Sequence, residues 1–328
     1  MDVFSFYSST SMIYYCLLIW MRLNGWNEFF IREFKWITMQ VGNQQSYLGM
    51  QISLGDGYTT ITMSNYVDKL LKEYEEVTDK KTPGKKGVFL VDGQARELLA
   101  DERKVFHRTV AKLLYLSKRA CPDILTVVSF LFTRVSVATE EDALKLHHLL
   151  GYLQYTREKS MILKPQGILT VEAHIDAAFA SHQDSKLPSG IAIFIGGTFV
   201  FGASRKQKCI TKSPTESELV ALTDNISFVE LFAKFFTFIV NEDIKALTIY
   251  QDSTSVISLI TKGGGVMRTK HLRMRMNLGK EALEMNRIIV KYLHMSKMIA
   301  DGLTKVLEKQ DFVIFRRLIL GEESDETA

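Results

Sequence analysis

The chain has 328 residues, 46% hydrophobic, 11% aromatic and 24% charged. That is the composition of an ordinary folded protein of about two domains, and it excludes a disordered, collagen-like or repeat-built chain. A net charge of +4 permits a polyanionic partner without demonstrating one.

Cys16, Cys121 and Cys209 lie far apart, so they build neither a disulfide framework nor a local thiolate zinc site, and a reducing compartment, cytoplasmic or nuclear, is expected. Residues 3–21 carry no charge, yet only 12–21 are continuously apolar, short of the ~20 residues of a spanning helix. A buried helix, or sequence unrelated to the fold, is expected there rather than a membrane anchor. A secretory signal fits poorly, for want of a basic start and a small-residue cleavage site. Residues 1–33 stay unassigned.

Strands are expected over 36–41 and 47–52, then a hairpin through Leu54-Gly-Asp-Gly57 into 59–62. A helical pattern starts at Ser64 and carries Val67, Leu70, Leu71 and Tyr74, and Lys80-Lys-Thr-Pro-Gly-Lys-Lys86 reads as an exposed linker. Three helices follow between about 101 and 158. The third is opened by Thr139-Glu-Glu-Asp142, a capping box in which hydroxyl and carboxylate satisfy the free amides of the first turn. His147 and His148 in that helix read as packing or surface residues. Past Gly167 the pattern turns to strands at 170–180, 190–195 and 198–201, with Gly196-Gly197 as a hairpin turn. A long helix over 213–240, a strand over 247–251, helices over 253–260 and 272–284, a strand over 288–293 and a last helix over 299–307 complete the order β-β-β-α-β-α-α-β-α. The acidic tail after Gly321 reads as disordered.

Asp176 is an unusual acid, because Asp is depleted in strands and this one is embedded in His174-Ile-Asp-Ala-Ala-Phe-Ala180. A buried carboxylate needs a cation, either a metal or a basic side chain. Glu216 lies in Ser213-Pro-Thr-Glu216, which is also a well-formed capping box. Glu218 is two positions on and faces elsewhere, so only one of the two can join a given site. Asp252 ends a strand and Asp301 opens the last helix, positions where an acid serves equally as a cap.

Taken in order, these acids and their surroundings resemble the ribonuclease H domain of copia-type long-terminal-repeat retrotransposons. The words are His174-Ile-Asp-Ala-Ala-Phe-Ala180, Ser189-Gly190 with Phe194-Ile-Gly-Gly197, Ser213-Pro-Thr-Glu-Ser-Glu-Leu-Val-Ala-Leu222, Ile249-Tyr-Gln-Asp252, Arg268-Thr-Lys-His271 and Ala300-Asp-Gly-Leu-Thr-Lys305. Upstream, Ser46-Tyr-Leu-Gly-Met-Gln-Ile52, Lys112-Leu-Leu-Tyr-Leu116 and Cys121-Pro-Asp-Ile124 resemble the end of the same family's reverse transcriptase and its connecting helices. The resemblance covers about residues 34–310.

It implies an α/β fold: a ribonuclease H-like mixed sheet flanked by helices over 167–310, preceded over 34–166 by a reverse-transcriptase remnant with helical connection. Residues 311–328 are left as a C-terminal extension. The implied activity is hydrolysis of the RNA strand of an RNA–DNA hybrid, as part of a Pol polyprotein. Asp176, Glu216, Asp252 and Asp301 would hold two Mg²⁺ ions, with Mn²⁺ as an alternative hard cation. Arg205, Lys206, Lys208, Arg268, Lys270 and His271 are the candidate phosphate contacts, against the plain reading of a solvated basic surface. The sequence departs from the family in carrying Ala178 and Arg273 where acids are common. It holds no Asp-Asp pair, so DNA synthesis is not expected, and the start of the chain reads as an open frame within a broken element. The competing expectation is a decayed or domesticated fragment that binds nucleic acid without catalysis.

Overall fold

The computed structural model describes residues 42–167, 170–178, 188–240, 247–262 and 270–322. The expectations for 3–21 and 36–41, for Arg268 and for the acidic tail lie outside these residues.

The first sheet is an antiparallel meander of β1 (Gln44–Tyr47), β2 (Met50–Leu54), β3 (Thr59–Thr62) and β4 (Met161–Leu163), in that order. The expected strand over 47–52 is instead a tight hairpin. Leu48 and Gly49 take φ of 49° and 78°, a left-handed pair that reverses the chain and that glycine tolerates without strain. β4 pairs with β3 across about a hundred residues, Thr59 opposite Leu163, a long-range contact with no local signal.

Helices α1 (Ser64–Leu71), α2 (Ala100–Ser117), α3 (Leu125–Arg134) and α4 (Glu140–Thr156) pack beside this sheet. α3 is preceded by a 3₁₀ turn over Pro122–Ile124. The capping box at the start of α4 forms as expected, with Asp142 N donating to Thr139 Oγ1 and Thr139 N donating to Asp142 Oδ2. His148 packs as expected, its Nε2 3.0 Å from the carbonyl of Thr82.

The second sheet has the order β7-β6-β5-β8-β9. Its strands are β5 (Val171–Ala177), β6 (Pro188–Ile195), β7 (Thr198–Lys206), β8 (Leu247–Gln251) and β9 (Ile289–Tyr292). β5, β6 and β7 form an antiparallel meander turned at Gly196 and Gly197, both at positive φ. β8 and β9 then add in parallel on the other side of β5. Parallel addition requires crossovers, and helices α5 (Pro214–Val240), α6 (Thr254–Lys262) and α7 (Lys270–Glu284) supply them. This is the mixed α/β, ribonuclease H-like sheet that the sequence order implied.

Alternation along β5 decides what each face does. Val171, Ala173, Ile175 and Ala177 point into a core shared with Leu219, Leu222, Ile226 and Val229 of α5. The opposite face carries His174 and Asp176, and there Ala192, Phe194 and Phe199 join the core of the first sheet. A helix α8 (Lys309–Leu320) closes this junction with Phe312, Phe315 and Ile319 on one face. In the sequence that stretch reads only as a C-terminal extension. Before α8, the expected last helix over 299–307 is only a 3₁₀ turn, Ile299–Leu303. Thr126 of α3 donates to the Gly302 carbonyl of that turn at 2.6 Å, tying the two modules together.

Candidate active site

Three carboxylates meet at one end of the second sheet. Asp176 comes from the end of β5, Glu218 from the second turn of α5 and Asp252 from the residue after β8, and one oxygen from each lies within 4.8 Å of the others. Asp176 and Glu218 are buried, and Asp252 is half-buried. The parallel pairing of β5 with β8 brings Asp176 and Asp252 to the same sheet end, where strands hand over to loops.

Glu218 and Asp176 accept from named donors, and Asp252 is positioned through its backbone. Ala177 N donates to Glu218 Oε1 at 3.1 Å, and Gln251 Nε2 donates to Glu218 Oε2 at 3.2 Å. The same Gln251 accepts from the amides of Asp252 and Ser253 through Oε1, at 2.8 and 3.2 Å. One amide side chain thus couples the α5 carboxylate to the loop that carries Asp252. Thr304 donates its hydroxyl to Asp176 Oδ2.

Asp301 lies in the 3₁₀ turn, and Lys305 joins it to the group: its ammonium is 2.9 Å from Asp301 Oδ1 and 3.6 Å from Asp176 Oδ2. The turn can sit this close because position 190 is glycine. A Cβ there would stand 2.8 Å from Thr304 Cγ2 and 2.9 Å from the Ala300 carbonyl.

The electrostatics follow from crowding. Burial, then the charges of Asp176 and Asp252, pushes Glu218 up to about 9. Burial and Asp176 raise Asp252 as well. Burial and Asp176 raise Asp301 to about 6 against the pull of Lys305. Burial works against the charge of Lys305, but Asp176 and Asp301 outweigh it and raise its pKa. Clustered, mutually destabilised carboxylates form a donor set that suits a hard divalent cation. The residues present therefore fit such an ion.

Glu216, the glutamate favoured in the sequence, is not in this group. Its Oε2 accepts from Lys212 N at 2.7 Å, and its own amide donates to Ser213 Oγ at 3.2 Å. It is the capping carboxylate. Two positions along an α-helix turn by about 200°, so the helix face that presents Glu218 to Asp176 sends Glu216 away. Sequence reasoning also missed Gln251, Thr304 and Lys305. All three lie inside the quoted words, where the acids drew attention first.

Among the candidate basic contacts, Arg205 and Lys206 are exposed at the end of β7, and Lys208 is exposed just beyond. Lys270 and His271 open α7, but their side chains, like Arg268, lie outside the described residues.

No family model matches the chain. In sequence it is similar to the retrovirus-related Pol polyprotein from transposon RE1 of Arabidopsis thaliana, 26% identical over 207 residues, which are 63% of this chain and 14% of that protein. It is also similar to the transposon Ty1-JR2 Gag-Pol polyprotein of Saccharomyces cerevisiae, 24% identical over 294 residues, 82% of this chain and 16% of that protein. Its homologues are Ty1/copia-type Pol polyproteins, as the motifs implied. The chain spans only a small part of their length. Among solved structures it is similar to RNase H1 from the halophilic archaeon Halobacterium salinarum NRC-1, with 16% identity, 41% of this chain and 94% of that one covered, and a TM-score of 0.31. The foamy viral protease-reverse transcriptase in complex with RNA/DNA hybrid gives 15% identity, 81% and 31% coverage and a TM-score of 0.42. Among the described residues no helix is long and apolar enough to cross a membrane.

Proposed function

We propose that this chain is a metal-dependent ribonuclease of the ribonuclease H type, hydrolysing the RNA strand of RNA–DNA hybrids as one segment of a Pol-type polyprotein. The observation that carries this reading is the convergence of Asp176, Glu218 and Asp252 from three separate elements to within 4.8 Å. The sequence relatives set the context, a Pol polyprotein, in which such a site belongs. Residues 34–166 are assigned to the end of a reverse transcriptase with its connecting helices, and 167–310 to the nuclease.

In this reading Asp176, Glu218 and Asp252 would hold the cations, two Mg²⁺ or Mn²⁺ ions, with Asp301 at the margin. When bound, such ions lower the pKa of the attacking water and stabilise the leaving 3′ oxygen. The chain supplies the fixed frame. Gln251 and the Ala177 amide lock both oxygens of Glu218, so this ligand does not reorganise when substrate arrives. Thr304 fixes one oxygen of Asp176, and its other oxygen stays available to a ligand. Lys305, partly exposed, sets a positive charge beside Asp176 and Asp301 and lowers the repulsion among the acids. Water attacks the phosphodiester, so no protein nucleophile is required. Selection of the RNA strand comes from contacts to 2′-hydroxyls and hybrid shape. Polymerase activity is not part of the proposal, because the chain has no Asp-Asp pair.

The test is cleavage of an end-labelled RNA–DNA duplex with Mg²⁺, with EDTA and with Asp252→Asn. Cutting of the RNA strand alone, lost in both controls, is the expected result. A folded protein that binds the hybrid and never cuts it would overturn the enzyme reading in favour of a nucleic-acid-binding relic.

A further inference from the structure

The 3₁₀ turn Ile299–Leu303 carries Asp301, yet its apolar side chains are rooted outside the nuclease core. Leu303 is fully buried among residues of the first sheet and helices α1 to α4, and Ile299 packs against the same cluster. None of the turn's residues belongs to the core between β5 and α5. The polar side chains at its end reach the nuclease sheet instead. Thr304 donates to Asp176, and Lys305 faces both Asp176 and Asp301. The turn therefore joins the two modules at the carboxylates.

Two contacts hold Gly302 in the middle of this turn. The ring of Phe315 from α8 lies so close that a Cβ on Gly302 would stand 2.4 Å from its carbons. Thr126 of α3 donates to the Gly302 carbonyl at 2.6 Å, from 176 residues away in the chain. Thr126 is only 6% exposed, so water has little access to compete for this bond. A helical threonine commonly turns its hydroxyl back to a carbonyl of the preceding turn. Thr133 does so on the same helix, donating to Phe130 O at 2.7 Å. Thr126, in the first turn of α3, reaches another module instead. What its bond fixes is the place of Gly302.

Gly302 follows Asp301 directly and precedes Thr304 by two residues. A shift of its peptide therefore moves Asp301, Thr304 and Lys305 together, and with them the hydroxyl and the ammonium that face Asp176. A metal site keeps its affinity only while its groups stay within about 0.5 Å of place.

We propose that Thr126 is a positioning residue of the nuclease, by which the connecting helices hold Gly302 and so set Asp301, Thr304 and Lys305 on the cation site. This role rests on the ribonuclease reading, and it gives residues 34–166 a part in the hydrolytic step. The site is complete only with the connecting module docked.

The experiment compares the full wild-type chain with Thr126→Val, which replaces the hydroxyl by a methyl, and Thr126→Ser, which keeps the hydroxyl. Thr109→Val is the control, because it removes a buried hydroxyl of the same module that is bonded to Tyr74 and not to the turn. Electron paramagnetic resonance of the free ion reads Mn²⁺ binding, and cleavage of a labelled RNA–DNA hybrid in Mg²⁺ reads kcat and KM. Thr126→Val is expected to bind Mn²⁺ about tenfold more weakly and to lose about tenfold in kcat, with KM for hybrid within about twofold of wild type. Thr126→Ser and Thr109→Val are expected to stay within about threefold of wild type in both affinity and kcat. Hydrogen exchange of the Asp301–Lys305 amides should quicken in Thr126→Val and not in Thr109→Val. Wild-type Mn²⁺ affinity and kcat in a folded Thr126→Val chain would overturn the role and leave the nuclease standing. A tenfold loss in Thr126→Ser would overturn it too, even if Thr126→Val does not fold, because the methyl and not the hydroxyl would then be acting. A wild type that binds Mn²⁺ without cutting sinks the nuclease alone, and the shift in Mn²⁺ affinity still decides the role of Thr126. A wild type that binds no Mn²⁺ sinks both.

Discussion

Ala177 donates its backbone amide to Glu218 Oε1 at 3.1 Å, one residue past Asp176 on the same strand. This contact fixes α5 against β5 at the carboxylate group and decides which of the two neighbouring glutamates belongs there.

The contrast between them is testable directly. Glu218→Gln is expected to reduce hybrid cleavage on the order of 100-fold or more, because a metal ligand is lost at unchanged volume. Glu216→Gln is expected to leave the rate within a few-fold and to cost about 0.5–1 kcal/mol in thermal or urea unfolding, the value of an exposed cap. If Glu216→Gln were the inactive variant, the assignment would be reversed.

These two residues also show what the sequence could reveal. Asp176 stood out because a strand interior disfavours Asp, and Asp252 and Asp301 because they close or open elements in the right order. Glu216 fitted a local capping word, and the local word was correct as a cap. Only the packing of α5 on β5 selects Glu218, and a single sequence carries that through helical phase alone. The hairpin at Leu48 and Gly49 was hidden inside an apolar run. Helix α8 is faint in the sequence because Phe312, Phe315 and Ile319 are interleaved with charged residues, although their spacing is helical. The meander β5-β6-β7 was legible because alternation and the Gly196-Gly197 turn are both local signals. β4, whose partner lies about a hundred residues upstream, was not.

Lys305 is the ammonium that faces both Asp176 and Asp301. Its loss should matter most when no divalent ion is present to neutralise the acids. Lys305→Met is expected to lower stability in EDTA by about 1–2 kcal/mol, discounted for its exposure, and by clearly less in excess Mg²⁺. Thermal unfolding in both conditions reads this out. Equal losses with and without Mg²⁺ would show that Lys305 acts by packing rather than charge.

Gly190 lets the 3₁₀ turn that carries Asp301 lie against β6. In Gly190→Ala the new methyl meets Thr304 and the Ala300 carbonyl at under 3 Å, and backbone cannot give way as a flexible side-chain tip does. A loss of about 1–3 kcal/mol is expected. Cleavage should fall by more than stability accounts for, because Thr304 and Asp301 move with the turn. Gly93→Ala, where a Cβ meets nothing within 4 Å, is the control and should stay within about 0.5 kcal/mol. Hydrogen exchange of the Asp301–Lys305 amides locates the disturbance, and unchanged exchange there would contradict the account.

The connecting helices hold an ionisable group of their own. Asp123 is buried, and Tyr152 donates to its Oδ2 while Oδ1 has no partner. Burial raises its pKa to about 6, against the opposing effects of the Tyr152 hydrogen bond and the Arg316 charge. An unfolded Asp titrates near 4, so between about pH 4 and 6 the folded chain holds a proton that the unfolded chain has released. Stability therefore falls as pH rises through that window and stays lower above it, by up to about 3 kcal/mol. Asp123→Asn cannot ionise and keeps an acceptor for Tyr152. Relative to wild type, the variant should gain about 1–3 kcal/mol on going from pH 4.5 to pH 7.5 in urea unfolding. The carboxylates at the active site titrate in both proteins and cancel in this difference. A wild-type-to-variant gap that does not change with pH would show that Asp123 is ionised throughout, held by Arg316 more strongly than its burial opposes.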